Sequence, residues 1–420
     1  MNKHKFTKEL YNEEFLLKIP KTDLHLHLDG SLRLPTLIEL AKKEGIKLPS
    51  YSEAGMRDKI FKDSYASLDE YLRGFSYTCA VMRTKDAIER ISYELAIDNQ
   101  NEGVRYIEVR FAPQTLMSDD MSFEDVMNSC WKGLERAKKE FNSHSEILNG
   151  EEPPFNYGII VCAMRFCDKR FSPFFASFFK NHKYSAPLET INLASQELAK
   201  ATTKIVNETD IPIVGFDLAG AEKGFPADNH IQSYDIVHRN FLSKTVHAGE
   251  AYGPESIFQA ITDLHADRIG HGFYLFDEEK VVSKKNRKNA KKYVLNLAQY
   301  IANNRITLEI CPTSNLQTNP DLKGSMKNHP IRKMIDNKLS ITINTDNRLI
   351  SNTTVTKELQ LVIKEMKITP AQLRNIIIYG FKRCFYYGSY VEKRNYVRDV
   401  IDYYEKITEE FLGEGIIYHI

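Results

Sequence analysis

The sequence predicts an α/β fold, specifically a (β/α)8 barrel with additional helices, on three observations. Eight short runs are apolar, rich in β-branched residues and bounded by polar or turn residues. Longer amphipathic stretches separate them, the alternation expected of parallel strands with helical crossovers. Titratable side chains also collect at the C-terminal tips of several runs, the end at which barrels gather their working groups. The length of 420 residues is compatible, because insertions carry single barrels from ~250 residues past 400. We read residues 1–420 as one domain.

The expected strands, in order, are Thr22–Leu28, Val104–Ala112, Tyr157–Arg165, Ile213–Ala219, Lys244–Ala248, Arg268–Gly270, Ile306–Cys311 and Leu339–Asn344. Between them, Asp86–Asn101, Phe123–Lys139, Leu188–Val206, Pro254–His265 and Tyr293–Asn303 repeat their apolar residues at three and four, as helices with one buried face do. Two stretches read as additions to the barrel: Asn142–Asn156, with Gly150, Pro153 and Pro154, and Asp277–Lys292, whose basic run from Lys284 to Lys292 suits a solvated surface. The tail reads as three helices, Val355–Met366, Pro370–Tyr387 and Val391–Leu412, covering the outside or one end.

Composition excludes several classes of function. Fifty-seven basic against 56 acidic residues leave a net charge of +1, so the whole molecule has no strong pull toward nucleic acid or anionic membrane. Apolar residues at 42% and charged ones at 27% are ordinary globular values, sufficient for a full core without disulfides. The six cysteines are scattered and form no CxxC pair, which points to reduced thiols in a cytoplasmic protein. The charged N-terminal segment lacks the apolar stretch of a secretion signal, and the run Tyr157–Met164 is far short of a membrane span. Motifs that cradle phosphates or dinucleotides, and the GxSxG nucleophile motif, are missing.

The chemistry concentrates at strand ends. In the first strand, Asp23-Leu24-His25-Leu26-His27-Leu28-Asp29 alternates titratable and leucine side chains, so leucines face the helices while His25 and His27 point inward, ~6.6 Å apart. The fifth strand ends in His247-Ala248-Gly249-Glu250, the sixth in Gly270-His271-Gly272, and the eighth runs into Thr345-Asp346. Singly, each has an ordinary structural explanation, such as a satisfied core histidine or a turn-forming acid. Jointly, those explanations require four strands to end in metal- or proton-handling groups by coincidence. Barrel closure brings strand eight beside strand one, within reach of one ion for Asp346, His25, His27 and His247. Three imidazoles and a carboxylate suit a borderline divalent ion, zinc first, with cobalt and iron also accepted by such sites.

These residues resemble the adenosine deaminase family of metal-dependent amidohydrolases. The resemblance runs through TDLHLHLDGSL (22–32), SLDEYLRGF (67–75), GVRYIEVRFAP (103–113), GFDLAGAE (215–222), HAGE (247–250), RIGHG (268–272), CPTSN (311–315) and NTDN (344–347). It implies a zinc-containing (β/α)8 barrel with one Zn2+ bound by His25, His27, His247 and Asp346. It further implies Glu250 as the proton donor to purine N1, His271 as the residue that orients and helps deprotonate the attacking water, and the Gly220 amide as a donor to N3. Asp29 falls at the contact to the ribose 5′-hydroxyl; Leu68, Tyr71 and Phe75 fall on an apolar lid helix, and Met164 on the pocket wall. Many members carry a second Asp where this chain has Asn347; its amide can donate to purine N7 without first being protonated.

The implied reaction is hydrolytic deamination of adenosine, and of 2′-deoxyadenosine, to inosine and ammonia, with a small purine nucleoside as the partner rather than nucleic acid or membrane. The alternatives are a deaminase of adenine or another 6-aminopurine derivative, and a purine-binding protein without catalysis. Glu250 and His271 weigh against the last, since binding alone requires neither.

Overall fold

The computed structural model describes residues 11–413, without the side chains of Leu68 and Asp69. Eight strands follow one another around a barrel: β1 (Lys21–His27), β2 (Val104–Phe111), β3 (Asn156–Met164), β4 (Ile213–Ala219), β5 (Ser243–Ala248), β6 (Arg268–His271), β7 (Thr307–Ile310) and β8 (Ile341–Ile343). Their spatial order is their chain order, and every ladder is parallel. Each expected strand is present.

The last two strands are shorter than the apolar runs that predict them. At β8 the cause is Asn344, whose side-chain amide donates to the carbonyls of Ile310 and Thr342 and accepts from Leu24 N at 2.9 Å. The Asn344 backbone N still donates to the Ile310 carbonyl at 2.9 Å, and these side-chain bonds take over where the chain turns toward Asp346. The barrel closes through this turn: Leu26 bridges Asp346, His27 N donates to the Asp346 carbonyl and Asp346 N to the His25 carbonyl, both at 2.8 Å. Thr345 adds two bonds to the Asp23 carboxylate. Opposite, β4 and β5 pair only at Gly215↔Ser243 and Phe216↔Lys244 and then diverge. The buried Arg165 guanidinium spans the opening, donating to the carbonyls of His247 and Phe225 at 2.7 Å.

Helices Lys85–Gln100, Phe123–Asn142, Pro187–Glu208, Pro254–Thr262 and Ala290–Asn303 pack outside the strands, each within a few residues of its predicted bounds. Of the tail, Val355–Met366 and Tyr390–Leu412 match closely, whereas Pro370–Arg383 stops before the expected Tyr387. Two buried charges capture the chain there: Arg268 donates to the Arg383 carbonyl, and Glu108 accepts from Phe385 N. The addition at 142–156 contains one short helix, Ser145–Leu148, and Asn142 clamps its neck through two bonds to the Phe155 backbone. The addition at 277–292 carries the helix Lys284–Arg287. At the N-terminal end of the barrel, the wholly buried Lys21 ammonium caps the helix Glu13–Lys18 by donating to the carbonyls of Leu16, Leu17 and Ile19.

Candidate active site

The alternation of β1 places Leu24 and Leu26 in the apolar layer beneath the helices and turns His25 and His27 to the lumen. His247 joins them from β5, and Asp346 from the loop after β8. One ligand-capable atom from each of these four lies within 4.8 Å of the other three. His27 Nε2 is 3.2 Å from His247 Nε2, and Asp346 Oδ1 is 3.6 Å from His25 Nε2 and 3.5 Å from His27 Nε2. Burial, reinforced by Arg110 and His247, pushes both β1 imidazoles well below their usual pKa, leaving them neutral with lone pairs free. His25 Nε2 is buried without a hydrogen-bond partner among the described residues. An orphaned acceptor beside two imidazoles and a carboxylate is the donor set a borderline divalent cation satisfies, so these residues fit a metal.

The backbone is specialised for this gathering. His271 and Asp346, neither of them glycine, both hold φ of 62°, a costly left-handed conformation that accumulates at functional sites. Gly270 gives the cluster room: a Cβ there would lie 2.9 Å from His25 Cε1 and 3.2 Å from His247 Cα.

Beneath the four residues the lumen is charged rather than aliphatic. Glu309 accepts from His25 Nδ1 at 2.8 Å, and Asp217 from His247 Nδ1 at 3.0 Å. Arg110 joins the two acids, donating to Asp217 at 3.0 Å and Glu309 at 2.9 Å; Arg268 adds a 2.7 Å bond to Glu309. Burial opposes the Asp217 carboxylate, but His247 and Arg110 outweigh it and hold its pKa below the ordinary value. Such carboxylates fix the histidine tautomer with Nε2 bare and facing the cluster. Sequence reasoning assigned no role to Glu309, Asp217 or Arg110. Their signal was charged residues inside otherwise apolar strands, which stay buried only when paired.

Glu250 follows β5 on a loop held by another acid overlooked in the sequence. Glu222, buried at 1% exposure, accepts from the amides of Gly249, Glu250, Ala251 and Tyr252 and from the Ser256 hydroxyl, at 2.6–3.1 Å. Burial raises the Glu250 carboxyl to about 7, and Glu222 adds to the rise. Glu250 Oε1 is 3.8 Å from His271 Nε2. Burial also lowers His271 to about 4.

Of these groups, His27, His247, Glu250, His271 and Asp346 border one cavity of about 690 Å³, which Asp29, Gly220, Met164 and Asn347 also line. Asp29 Oδ1, 3.9 Å from His27 Nδ1, is buried without a hydrogen-bond partner among the described residues, and burial raises its carboxyl to about 7. Gly220 has φ of 94°, a conformation open to glycine, and a Cβ there would press on Met164 Cε at 3.2 Å. Asn347 Nδ2 donates to Tyr71 Oη and Asp346 Oδ1, both at 2.8 Å. The helix Leu68–Val81 forms one wall through Tyr71 and Phe75, while the Leu68 side chain lies outside the described residues.

Fold and site together define a (β/α)8-barrel enzyme with a candidate metal centre at its C-terminal face. The sequence model of the family described as Adenosine deaminase matches residues 20–186 and 184–403. Adenosine deaminase of Clostridium kluyveri is 31% identical over 373 residues, covering 89% of this chain and 91% of that protein. Adenosine deaminase 1 of Streptomyces coelicolor is 31% identical over 398 residues, covering 94% and 89%. Among solved structures, a Burkholderia ambifaria amidohydrolase with bound Zn matches with TM-score 0.72 at 18% identity, covering 97% of this chain and 98% of that one. Adenine deaminase from Arthrobacter aurescens matches with TM-score 0.69 at 20% identity, covering 92% and 99%. These two share the fold. The chain belongs to the adenosine deaminase family.

Proposed function

We propose that this chain hydrolytically deaminates adenosine and 2′-deoxyadenosine to inosine and ammonia, with one zinc ion held by His25, His27, His247 and Asp346. The observation that carries the reading is the convergence of His27, His247 and Asp346, clustered with His25, and of Glu250 and His271 on a single nucleoside-sized cavity. We further assign the whole chain to one catalytic domain. A reducing cytoplasmic setting is supported by six unpaired cysteines, and among the described residues no helix is long and apolar enough to cross a membrane.

Zinc at these donors supplies Lewis acidity that brings the pKa of water toward ~7. His271 orients the attacking water against ring carbon 6, and the Asp346 carboxylate accepts a hydrogen bond from it. As that carbon becomes tetrahedral, negative charge builds on N1, where Glu250 delivers its proton. A carboxyl whose pKa is about 7 still carries that proton near neutrality. The amine takes up the proton that the water first gave to Asp346 and leaves as ammonia, and the added hydroxyl becomes the 6-carbonyl by returning its proton to the Glu250 carboxylate. The Gly220 amide donates to N3, and Asp29 accepts from the ribose 5′-hydroxyl with an oxygen that is otherwise unpartnered. Asn347 donates to N7 with the hydrogen it now gives Tyr71.

Loss of adenosine absorbance tests the reading, with adenine and AMP assayed alongside. Adenosine should be turned over best; faster turnover of the free base or the phosphorylated compound would overturn the nucleoside assignment. Glu250→Gln should retain zinc and purine binding while losing several orders of magnitude in kcat, and near-normal turnover would remove Glu250 from its role. His247→Ala should lose tightly held metal on elemental analysis.

A further inference from the structure

His271 heads a chain of three buried side chains that runs to a backbone amide, and that amide sets its direction. Ile331 N–H, a donor by its chemistry, donates to His329 Nδ1 at 3.3 Å. Nδ1 of His329 is therefore an acceptor, and the neutral ring carries its proton on Nε2. That nitrogen lies 3.2 Å from Asn315 Oδ1, to which it donates. With its oxygen so used, Asn315 turns its amide nitrogen to His271 and donates to Nδ1 at 3.3 Å. All three side chains are at most 3% exposed, and Phe273 packs against the His329 ring in a T-shaped contact at a centroid distance of 5.3 Å. No carboxylate pairs with His329 among the described residues. Burial holds it at about 3, which keeps the ring neutral.

We infer that Asn315 and His329 are positioning residues that fix His271 as the Nε2–H tautomer, so that His271 presents a proton to the attacking oxygen rather than a lone pair. This deepens the proposed function and rests on it only for the identity of the attacking water. In this state Nε2–H, 3.8 Å from Glu250 Oε1, donates to the oxygen that approaches carbon 6 and aligns its remaining lone pair. Nε2 cannot take a proton while it bears one, so the acceptor for the water proton is the Asp346 carboxylate. The two flanking residues then have opposite tasks: His271 donates and Asp346 accepts.

The test is imidazole tautomer by 15N NMR on the full, zinc-loaded chain carrying 15N-histidine, with the His271 signals assigned by their loss in His271→Gln. The expected spectrum has a protonated Nε2 and a bare Nδ1 on His271. Asn315→Asp offers Nδ1 an acceptor in place of a donor; it should move the proton to Nδ1 and lower kcat for adenosine at least ~100-fold, with zinc content unchanged and KM within about threefold. His329→Gln can donate to Asn315 and accept from Ile331 N, so it should keep the wild-type tautomer and kcat within about fivefold. A wild-type His271 protonated on Nδ1, or on both nitrogens, overturns the inference even if Asn315→Asp fails to fold. So does an Asn315→Asp protein with unchanged tautomer and turnover. The spectrum reads the same way whether or not adenosine is the substrate, so failure of the inference and failure of the proposed function are distinguishable.

Discussion

Glu222 shows how one side chain can govern the geometry of another without touching substrate. Its two oxygens take up the donors of four consecutive residues, Gly249 to Tyr252, together with one hydroxyl, and so fix the backbone from which Glu250 reaches the cavity. Glu222→Gln keeps the volume but sets an NH2 group against the Gly249 amide or its three neighbours. A buried donor left facing a donor costs ~1–3 kcal/mol, and each 1.4 kcal/mol lost from the transition state is about tenfold in rate. The expected outcome is a ~10–100-fold fall in kcat with near-stoichiometric zinc, read by steady-state kinetics and elemental analysis on the same sample. Unchanged kcat would show that the loop holds its shape without the carboxylate. The residues that point into the cavity were legible in the sequence, because HxH, HAGE and GHG place titratable groups on strand tips. Glu222 and Asn315 were not, because their partners are backbone amides and side chains on other loops, and no local pattern encodes such pairing.

At the level of elements, strand alternation and helix periodicity made all eight strands and the main helices readable, since both depend on local spacing. What escaped was interaction between elements: the helix after Pro370 ends early because Glu108 and Arg268, from two strands, take hold of its exit. Glu358 belongs to the same class. From the helix Val355–Met366 it ties the helix Pro312–Thr318, which follows β7, to the loop after β8, accepting from Thr313 N at 3.0 Å and Thr353 Oγ1 at 2.5 Å. Burial raises its carboxyl from 4.5 to about 7, so the folded chain holds this proton more tightly than the unfolded chain. The resulting stabilisation is complete below pH ~4.5 and is lost as pH rises through about 7. Glu358→Gln mimics the protonated group. Urea unfolding should give it little advantage over wild type at pH 5 and an advantage approaching ~3 kcal/mol at pH 8, since each tenfold difference in proton affinity between folded and unfolded chain is worth about 1.4 kcal/mol. A difference that stays constant with pH would contradict the assignment.

For the whole molecule, the candidate metal centre and the closure of the barrel are built from the same residues. The backbones of His25, His27 and Asp346 form the contact between β1 and the chain leaving β8, while their side chains face the cluster. An ion bound only by the folded form at 100 times its Kd stabilises by about 2.7 kcal/mol. Chelation should therefore lower Tm and speed amide exchange at His27 and Asp346 ahead of the rest of the barrel, whereas His247→Ala should be insensitive to chelator. A Tm indifferent to metal would separate the site from the seam. The arrangement has a temporal side as well. Synthesis runs from the N-terminus, so the two β1 donors are made some 320 residues before their carboxylate partner. Over that span a nascent chain holds an incomplete chelating set, two donors until His247 is made and three thereafter, and enzymatic competence arrives all at once, when the final stave meets the first.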